Sequence, residues 1–404
     1  MISINAKNKV CYGVNASWHT IFMGMVVALF SLTMAGCSSS DSDDEEASQK
    51  PEQQTDEPVV ENIDWQAVAT KSTGSLVDYY WDNSKHFFCY YANRKDTQNK
   101  DWSYWPQAHA MDVVIDAYLR TGDDAWAQYF DLWYEGIKQK SGGGYTNDFV
   151  DDMEWICLTM QRIYEVTKDQ KYLDTAQMLW QTISSNWNTN GGGGLAWKQS
   201  MPNSKNACSN GPGGIVACRM YRLNGQKDAD LQMAKKIYEW ESEHLVNIQT
   251  GAVYDNLDAG SGKVTDWVFT YNEGTYMGLA HELYKITGQD FYLDMAVLVA
   301  KYTIKNLTTD GILKDEGNQD AGLFKGIFVR YFTLLIQEKA LKESDREEFT
   351  EFLHQNALAL YNEGTSTDNF YSTDWTLEGG ISSTDLPTQT SGCMLMEAWA
   401  SLQK

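Results

Sequence analysis

Two adjacent carboxylates, Asp151 and Asp152, are the clearest chemical signal in the sequence. They follow a glycine turn at 142–144, open an amphipathic segment, and have Tyr145 and Trp155 on either side. Glycoside hydrolysis needs two carboxyl groups, one as acid and one as base or nucleophile, and retaining enzymes hold them roughly 5–5.5 Å apart. Neighbouring side chains at a helix start can meet that spacing, and two close carboxylates split their pKa values so that one stays protonated.

The same pair also has a simpler interpretation as a helix cap. Acidic side chains are stabilised at the positive end of a helix, whatever else they do. The aromatic residues on both sides and the neighbouring glycine-rich loop favour the catalytic interpretation. The pattern alone leaves both open.

Helical periodicity dominates the chain from residue 62 onward, and strand-like alternation is scarce. Twelve helices are predicted, near 62–82, 106–121, 123–138, 149–167, 170–185, 205–223, 227–246, 272–287, 290–305, 321–340, 344–361 and 390–402. They form six helical hairpins, which predict an all-α (α/α)6 toroid with an open helical solenoid as the alternative. Loops as long as those at 88–105, 186–204, 250–271 and 362–389 are often functional, and we expect them around one mouth.

Several polar and aromatic residues fall in these loops or in the first turns of the helices that follow them. Each has the chemistry to bind a sugar by stacking or hydrogen bonding, and each could instead cap a helix or pack in the core. Trp197 is the candidate for stacking on a sugar ring. The full set is Trp105, Gln107, His109, Trp197, Asn210, Tyr271 and Asn272.

The N-terminal segment is predicted to be a lipoprotein signal peptide, residues 1–36. Its apolar run at 21–34 is too short to span a bilayer comfortably but suits a signal peptide. The run ends in Met-Ala-Gly-Cys, which resembles a bacterial lipobox and predicts that Cys37 is lipidated. An ordinary cleavable signal with a chance cysteine is the alternative.

An acidic segment at 37–61 follows, and residues 62–404 make a single predicted catalytic domain. The segment is rich in Asp and Glu with one basic residue, Lys50, and predicts a disordered tether. It resembles the export signal of Bacteroidetes surface lipoproteins. We therefore expect an outer-membrane lipoprotein, exposed at the cell surface or alternatively facing the periplasm, and a tethered monomer as the simplest state.

Composition excludes several classes of function. The 404 residues carry a formal net charge of −23, which argues against binding DNA or RNA through phosphates. The sequence holds no CxxC or HExxH zinc motif, no GxSxG nucleophile elbow and no phosphate-binding loop, so no cofactor is expected. Cys208 and Cys218 are a possible local disulfide, with free buried thiols as the alternative.

Taken together, the segments around these candidates resemble glycoside hydrolase family 76, the bacterial endo-α-1,6-mannanases. Their order and spacing carry the resemblance, which covers essentially all of 65–402. The segments are WPQAHAMDVVIDAYLRTGD at 105–123, DDMEW at 151–155, GGGLAW at 192–197, NACSNGPGGIVACRMYR at 206–222, VYDN at 253–256, WVFTYNEGTYMGLAHELYKITG at 267–288 and LFKGIFVRY at 323–331.

The resemblance implies an (α/α)6 fold and retaining, endo-acting hydrolysis of α-1,6-mannosidic bonds in mannan. By that match Asp151 is the nucleophile and Asp152 is the general acid and base. Asp255 matches the family's sugar-binding acid, although an Asx turn before Asn256 is an alternative. The competing functions are a non-catalytic glycan-binding lipoprotein and a toroid hydrolase that acts on another glycan, such as an unsaturated uronyl hydrolase.

Overall fold

The computed structural model describes residues 63–92, 102–377 and 384–403. They lie in one compact unit, Glu61–Lys404. Within them are twelve α-helices, which confirm the predicted all-α fold: α1 (Trp65–Tyr80), α2 (Trp105–Thr121), α3 (Asp124–Lys140), α4 (Val150–Thr167), α5 (Gln170–Ser184), α6 (Ala207–Leu223), α7 (Asp228–His244), α8 (Thr270–Thr287), α9 (Asp290–Asn306), α10 (Phe324–Ile336), α11 (Glu343–Asn362) and α12 (Leu386–Leu402).

The even-numbered helices form a closed inner ring. In chain order each of α2, α4, α6, α8, α10 and α12 packs against the next, and α12 closes the ring on α2. The odd-numbered helices lie outside this ring, each against one or two of its members. The arrangement is the (α/α)6 toroid, and ring closure excludes the open solenoid.

Burial separates the two rings as their sequences require. Every residue of α6 from Ala207 to Met220 is buried, because the helix contacts neighbours on all sides. In the outer helix α3 the buried residues form one face around Trp133, and the other residues are exposed or half-buried. A helix that is apolar on one face belongs at the surface, whereas one buried all round belongs inside.

The helix boundaries follow the punctuation seen in the sequence. Asp123 and Asp169 cap α3 and α5, accepting hydrogen bonds from the backbone N–H groups of Ala125 and Lys171. Gly122 ends α2 in the left-handed conformation at φ 67°, where a residue without Cβ is favoured. The turns from α2 to α3 and from α4 to α5 are short because a helix stop and a new cap follow each other directly.

Short strands, which were not predicted, lie in the loops. They are β1 (Trp81–Asp82), β2 (Phe87–Phe88), β3 (Ser204–Asn206), β4 (Asn256–Asp258), β5 (Lys263–Thr265), β6 (Thr308–Thr309) and β7 (Ile312–Leu313). The antiparallel sheet β3-β4-β5 pairs Asn206 with Asn256 and Asn256 with Thr265. Two or three residues are too few to show alternation, so only the long-range pairing reveals these strands.

The predicted signal peptide, Cys37 and the tether at 37–61 lie outside the described residues. Across the described part of the chain, the helices all fall short of the length and apolarity that crossing a bilayer requires.

The inner helices touch at backbone distance. A Cβ on Gly274 of α8 would lie 2.6 Å from the Cα of Phe328 on α10, and one on Gly326 would lie 2.7 Å from the Cα of Ser391 on α12. Backbone atoms cannot move aside as a flexible side chain can. Ring closure therefore depends on the absence of a side chain at such contacts.

Replacing Gly274 with alanine should destabilise the fold by about 1–3 kcal/mol, because the added methyl group forces α8 away from α10. The measurement is the midpoint of urea unfolding, followed by helical circular dichroism.

Gly74→Ala is the matched control, since no atom lies within 4 Å of the position its Cβ would take in α1. It should leave stability unchanged or raise it by about 0.5–1 kcal/mol, because alanine favours a helix. Equal losses in the two variants would contradict the packing argument.

Candidate active site

The inner helices run in the same direction, so their N-termini meet at one end of the ring. Asp151 and Asp152 lie in the first turn of α4, and the loops before α6 and α8 come to the same place. The positive ends of helices favour anionic groups there. This end of the ring is the candidate active site.

Asp151 is held by three donors from three different segments. Its Oδ2 accepts hydrogen bonds from the indole Nε1 of Trp197 at 3.2 Å and from the thiol of Cys208 at 3.4 Å. Its Oδ1 accepts one from the backbone N–H of Asp152 at 3.0 Å. All three bonds orient the carboxylate and favour its ionised form.

Burial raises the pKa of Asp151 to about 6, and the bonds from Cys208, the Asp152 backbone and Trp197 keep it from rising further. The Asp152 carboxylate accepts a hydrogen bond from the side-chain amide of Asn147 at 3.0 Å.

A third carboxyl, Glu154, lies behind the pair and is fully buried. Burial and the negative charges of Asp151 and Glu241 raise its pKa well above the usual range. Glu154 is therefore neutral and adds no competing charge beneath Asp151.

The loop before α6 carries Trp197 to the acid pair. The backbone N–H of Val150 donates to the Trp197 carbonyl at 2.9 Å, and the Trp197 N–H donates to the Ser204 carbonyl at 2.8 Å. Upstream, Gly194 presses on the ring of Trp240, where a Cβ would come within 2.8 Å. The glycine-rich run is thus a packed segment that fixes the position of Trp197.

The sheet β3-β4-β5 joins Cys208 and Asp255. Cys208 follows β3 and Asp255 precedes β4, and the Ala207 N–H donates to the Asp255 carbonyl at 2.9 Å. The Asp255 carboxylate accepts bonds from the side-chain amides of Asn256 at 2.8 Å and Asn272 at 3.4 Å. Burial raises its pKa.

Tyr271 extends the network. It lies near Cys208, and its ring stacks on Phe324 with centroids 3.9 Å apart. Burial and the charge of Asp151 raise the pKa of the Cys208 thiol well above its usual range, so the thiol stays protonated and can donate. Cys208 thus links the Asp151 carboxylate to the surroundings of Tyr271.

Trp105 and His109 lie on α2, beside Trp155 of α4. The ring centroids of His109 lie 5.5 Å from Trp105 and 4.7 Å from Trp155. Burial lowers the pKa of His109 to about 3, so the ring is neutral. Trp105 itself donates through Nε1 to Asp320 at 3.1 Å. The rings of Trp105, His109 and Trp155 thus form an aromatic wall beside the start of α4.

Two predicted sugar-binding residues instead hold loops. The fully buried Gln107 side chain exchanges hydrogen bonds with the backbone N–H and carbonyl of Phe88. The fully buried Asn210 side chain does the same with the backbone of Leu195. Both side-chain amides are used to hold neighbouring backbone and are not available to bind a sugar.

Sequence reasoning missed Asn147 and the role of Cys208. The signal for Asn147 was local: its side chain also accepts from the Phe149 N–H at 2.7 Å, as an Asx turn before a helix does. Cys208 and Cys218 are both free and buried, so the possible disulfide is absent and the Cys208 thiol is available to Asp151. Within the described ranges, His, Cys, Asp and Glu side chains form no group that could hold a metal ion.

The structure is similar to those of two inactive variants of an α-1,6-mannanase of Salegentibacter sp. HEL1_6. In one, two consecutive aspartates are replaced by asparagine and α-1,6-mannotriose is bound; the identity is 42% and the TM-score 0.80, over 84% of this chain and 100% of that chain. In the other, the aspartates are replaced by alanine and α-1,6-mannotetrose is bound, with 41% identity, a TM-score of 0.80 and coverage of 84% and 100%.

The sequence is also 24% identical over 267 residues to a mannan endo-1,6-alpha-mannosidase of Candida albicans, over 58% of each chain. The match thus spans somewhat more than half the length of that curated relative. The family model described as Glycosyl hydrolase family 76 matches residues 64–403, nearly the whole described chain. The protein therefore belongs to glycosyl hydrolase family 76.

Proposed function

We propose that the protein is an endo-acting α-1,6-mannanase that cleaves mannan with retention of configuration. The single observation that carries the proposal is the acid pair, in which Asp151 is held by three donors and Asp152 by a separate one. The similar mannanase at 42% identity supports it, since the variants that lack two consecutive aspartates are inactive and hold α-1,6-linked mannose.

In the first step, an oxygen of the ionised Asp151 carboxylate attacks the anomeric carbon of the mannose. The bond from that carbon to the glycosidic oxygen breaks, and Asp152 gives its proton to the leaving oxygen. The products are a covalent mannosyl ester on Asp151 and a shortened chain with a free hydroxyl.

In the second step, the Asp152 carboxylate removes a proton from a water molecule, whose oxygen attacks the same anomeric carbon. The ester bond to Asp151 breaks, and the enzyme regains its starting protonation. Two inversions give net retention. The donors on Asp151 stabilise the carboxylate as it leaves.

The sugar-binding groups are proposed from the walls around the pair. Asp255 is the acceptor for sugar hydroxyls, and Tyr271 and Asn272 lie beside it on α8. Trp105 and Trp197 offer aromatic faces, which bind the apolar faces of sugar rings. His109 backs this wall as a neutral ring. Since the wall holds few charges, a neutral mannan chain suits it better than a uronic acid.

We also propose that the protein is tethered to the outer membrane through lipid on Cys37, at the cell surface. The support is the lipobox and the acidic segment of the sequence. Wild-type protein should partition with membranes and Cys37→Ala should be released, as cell fractionation would measure. Release of both proteins, or membrane retention of both, would contradict the anchor.

Replacing either acid should lower hydrolysis of debranched α-1,6-mannan by about 10²–10⁴-fold or more, as expected when an acid, base or nucleophile is lost. The measurement is product release by chromatography, with product length distinguishing endo from exo cleavage. Binding of mannan by wild type without any cleavage would instead indicate a non-catalytic glycan binder.

A dinitrophenyl α-mannobioside separates the two roles, because its leaving group needs no proton. Asp152→Asn should release a burst of dinitrophenol and then stall as the covalent intermediate, whereas Asp151→Asn should give no burst. Asp148→Asn is the control: this acid lies in the same loop but accepts bonds from Ser200, so its loss should change the rate only a few-fold. A burst from Asp151→Asn would overturn the assignment.

The rate should fall as the pH drops through the pKa of Asp151, about 6, because only the ionised carboxylate attacks. Trp197→Phe removes one donor to that carboxylate, so its pKa should rise and the acidic limb of the kcat/KM profile should move up by about one pH unit.

Trp180→Phe is the matched control, since the Trp180 indole also donates to a carboxylate, that of Asp230, at 2.8 Å in the outer ring. Its pH profile should match wild type. An unmoved limb in Trp197→Phe would show that the indole does not set the pKa of the nucleophile.

A further inference from the structure

A cavity lies at the end of the inner ring opposite the acid pair. Its volume is about 470 Å³, within the range that holds small molecules, and its walls are the C-terminal halves of the six inner helices. On α4, Arg162 follows Asp151 by eleven residues, which places the cavity about 16 Å along the helix from the acid pair. Leu119, which is 56% exposed, and Lys285 lie at its rim, so it opens to solvent.

The cavity is rich in cations, although the chain as a whole is strongly acidic. Six basic side chains line it: Arg120, Arg162, Arg219, Arg222, Lys285 and Arg330. Four acids line it as well, and Asp112 approaches Arg162 from deeper in the ring at 2.8 Å. Positive charge is therefore in small excess.

Three of the four lining acids, Asp116, Glu282 and Glu397, are ion-paired with arginines of the cavity. Glu282 alone serves three cations: its carboxylate lies 3.2 Å from Arg219 Nε, 2.6 Å from Arg222 Nη1 and 3.8 Å from Lys285 Nζ. Asp116 is likewise shared by Arg162 and Arg330.

In contrast, some hydrogen-bond donors of the arginines have no acceptor in the described part of the chain. Arg219 is 8% exposed and bonds only through Nε to Glu282, so its two Nη groups have no hydrogen-bond partner among the described residues. The Nε of Arg330 differs, because it faces the Asp112 carboxylate at 3.7 Å and is ion-paired there. A guanidinium fork matches a carboxylate or phosphate bidentately.

We infer that this cavity binds a small anion through a phosphate or carboxylate group, with the Nη fork of Arg219 as the principal donor. Arg222 and Lys285 add charge at the rim. The small excess of positive charge suits one anionic group on a ligand of modest size and not a polyanion.

A purely structural role explains only part of the arrangement. Helix C-termini carry partial negative charge, and basic side chains stabilise them. That role accounts for the ion-paired guanidiniums, such as that of Arg120, whose Nε lies 2.7 Å from Glu397. It does not account for the Nη fork of Arg219, which lines the cavity and has no acceptor among the described residues.

The test is the melting temperature of the full-length protein at increasing concentrations of inorganic phosphate. Chloride is the balancing anion, so that the ionic strength stays constant. Binding to the native state stabilises it in proportion to the logarithm of ligand concentration. Wild type should show a phosphate-dependent rise, and calorimetric titration with phosphate should saturate at one site. No rise and no heat of binding would overturn the inference.

Arg219→Gln should weaken phosphate binding about tenfold or more, because two charge-assisted hydrogen bonds are lost. Arg346→Gln is the control, since that guanidinium donates to backbone carbonyls of Ile336, Glu338 and Leu341 outside the cavity. It should leave the phosphate dependence unchanged. Equal phosphate dependence in wild type and Arg219→Gln would contradict the site.

Lys285→Gln is a second variant that tests the site if Arg219→Gln does not fold. The Lys285 side chain is 45% exposed, so the fold should tolerate its loss. It should weaken phosphate binding a few-fold, and an unchanged affinity would contradict the role of the rim. Parallel titrations with a hexose 6-phosphate and with acetate identify the ligand: stronger binding of the first indicates a phosphate ester, and stronger binding of the second a carboxylate. None of these measurements uses mannan, so they stand apart from the proposed hydrolysis.

Discussion

The whole structure depends on close packing of the inner helices in a parallel ring. Contacts such as Gly274 against Phe328 bring two backbones together without side chains between them. Because the six helices share one direction, the ring has a positive end of helix N-termini and a negative end of C-termini. The acids Asp151 and Asp152 lie at the first end, and the cluster of arginines lies at the second. Each set of charges offsets the helix ends beside it.

The chemistry at the N-terminal end rests on a balance between burial and hydrogen bonding. Burial alone would hold Asp151 protonated, and the three donors bring its pKa back to about 6, where the ionised form dominates at neutral pH. Glu154 beneath it has no such donors within the described residues and stays neutral. Two carboxyls on successive turns of one helix thus carry opposite protonation because their partners differ. Cys208 can serve as a donor since burial keeps its thiol protonated.

The loops supply most of these partners, and they do so as packed structure. The glycine-rich run ahead of Trp197 is seated on Trp240, and the sheet β3-β4-β5 ties the start of α6 to Asp255. Residues as far apart in the chain as 151, 197, 208 and 255 meet because the helix ends already converge there. Rigid supports of this kind hold reacting groups in place without cost at each turnover.

Much of the fold and the acid pair could be read from the sequence, because helical periodicity, caps such as Asp123 and stops such as Gly122 are local signals. The resemblance of ordered segments likewise indicated the family and the pair at 151 and 152. The partners of the pair could not be read, since the Cys208 thiol and the Trp197 indole reach Asp151 only through pairings across long loops. The same holds for Gln107 and Asn210, whose types suit sugar binding but whose amides are consumed by neighbouring backbone. Only the tertiary structure decided these roles, because hydrogen bonding depends on which groups meet, and strands of three residues leave no periodic trace.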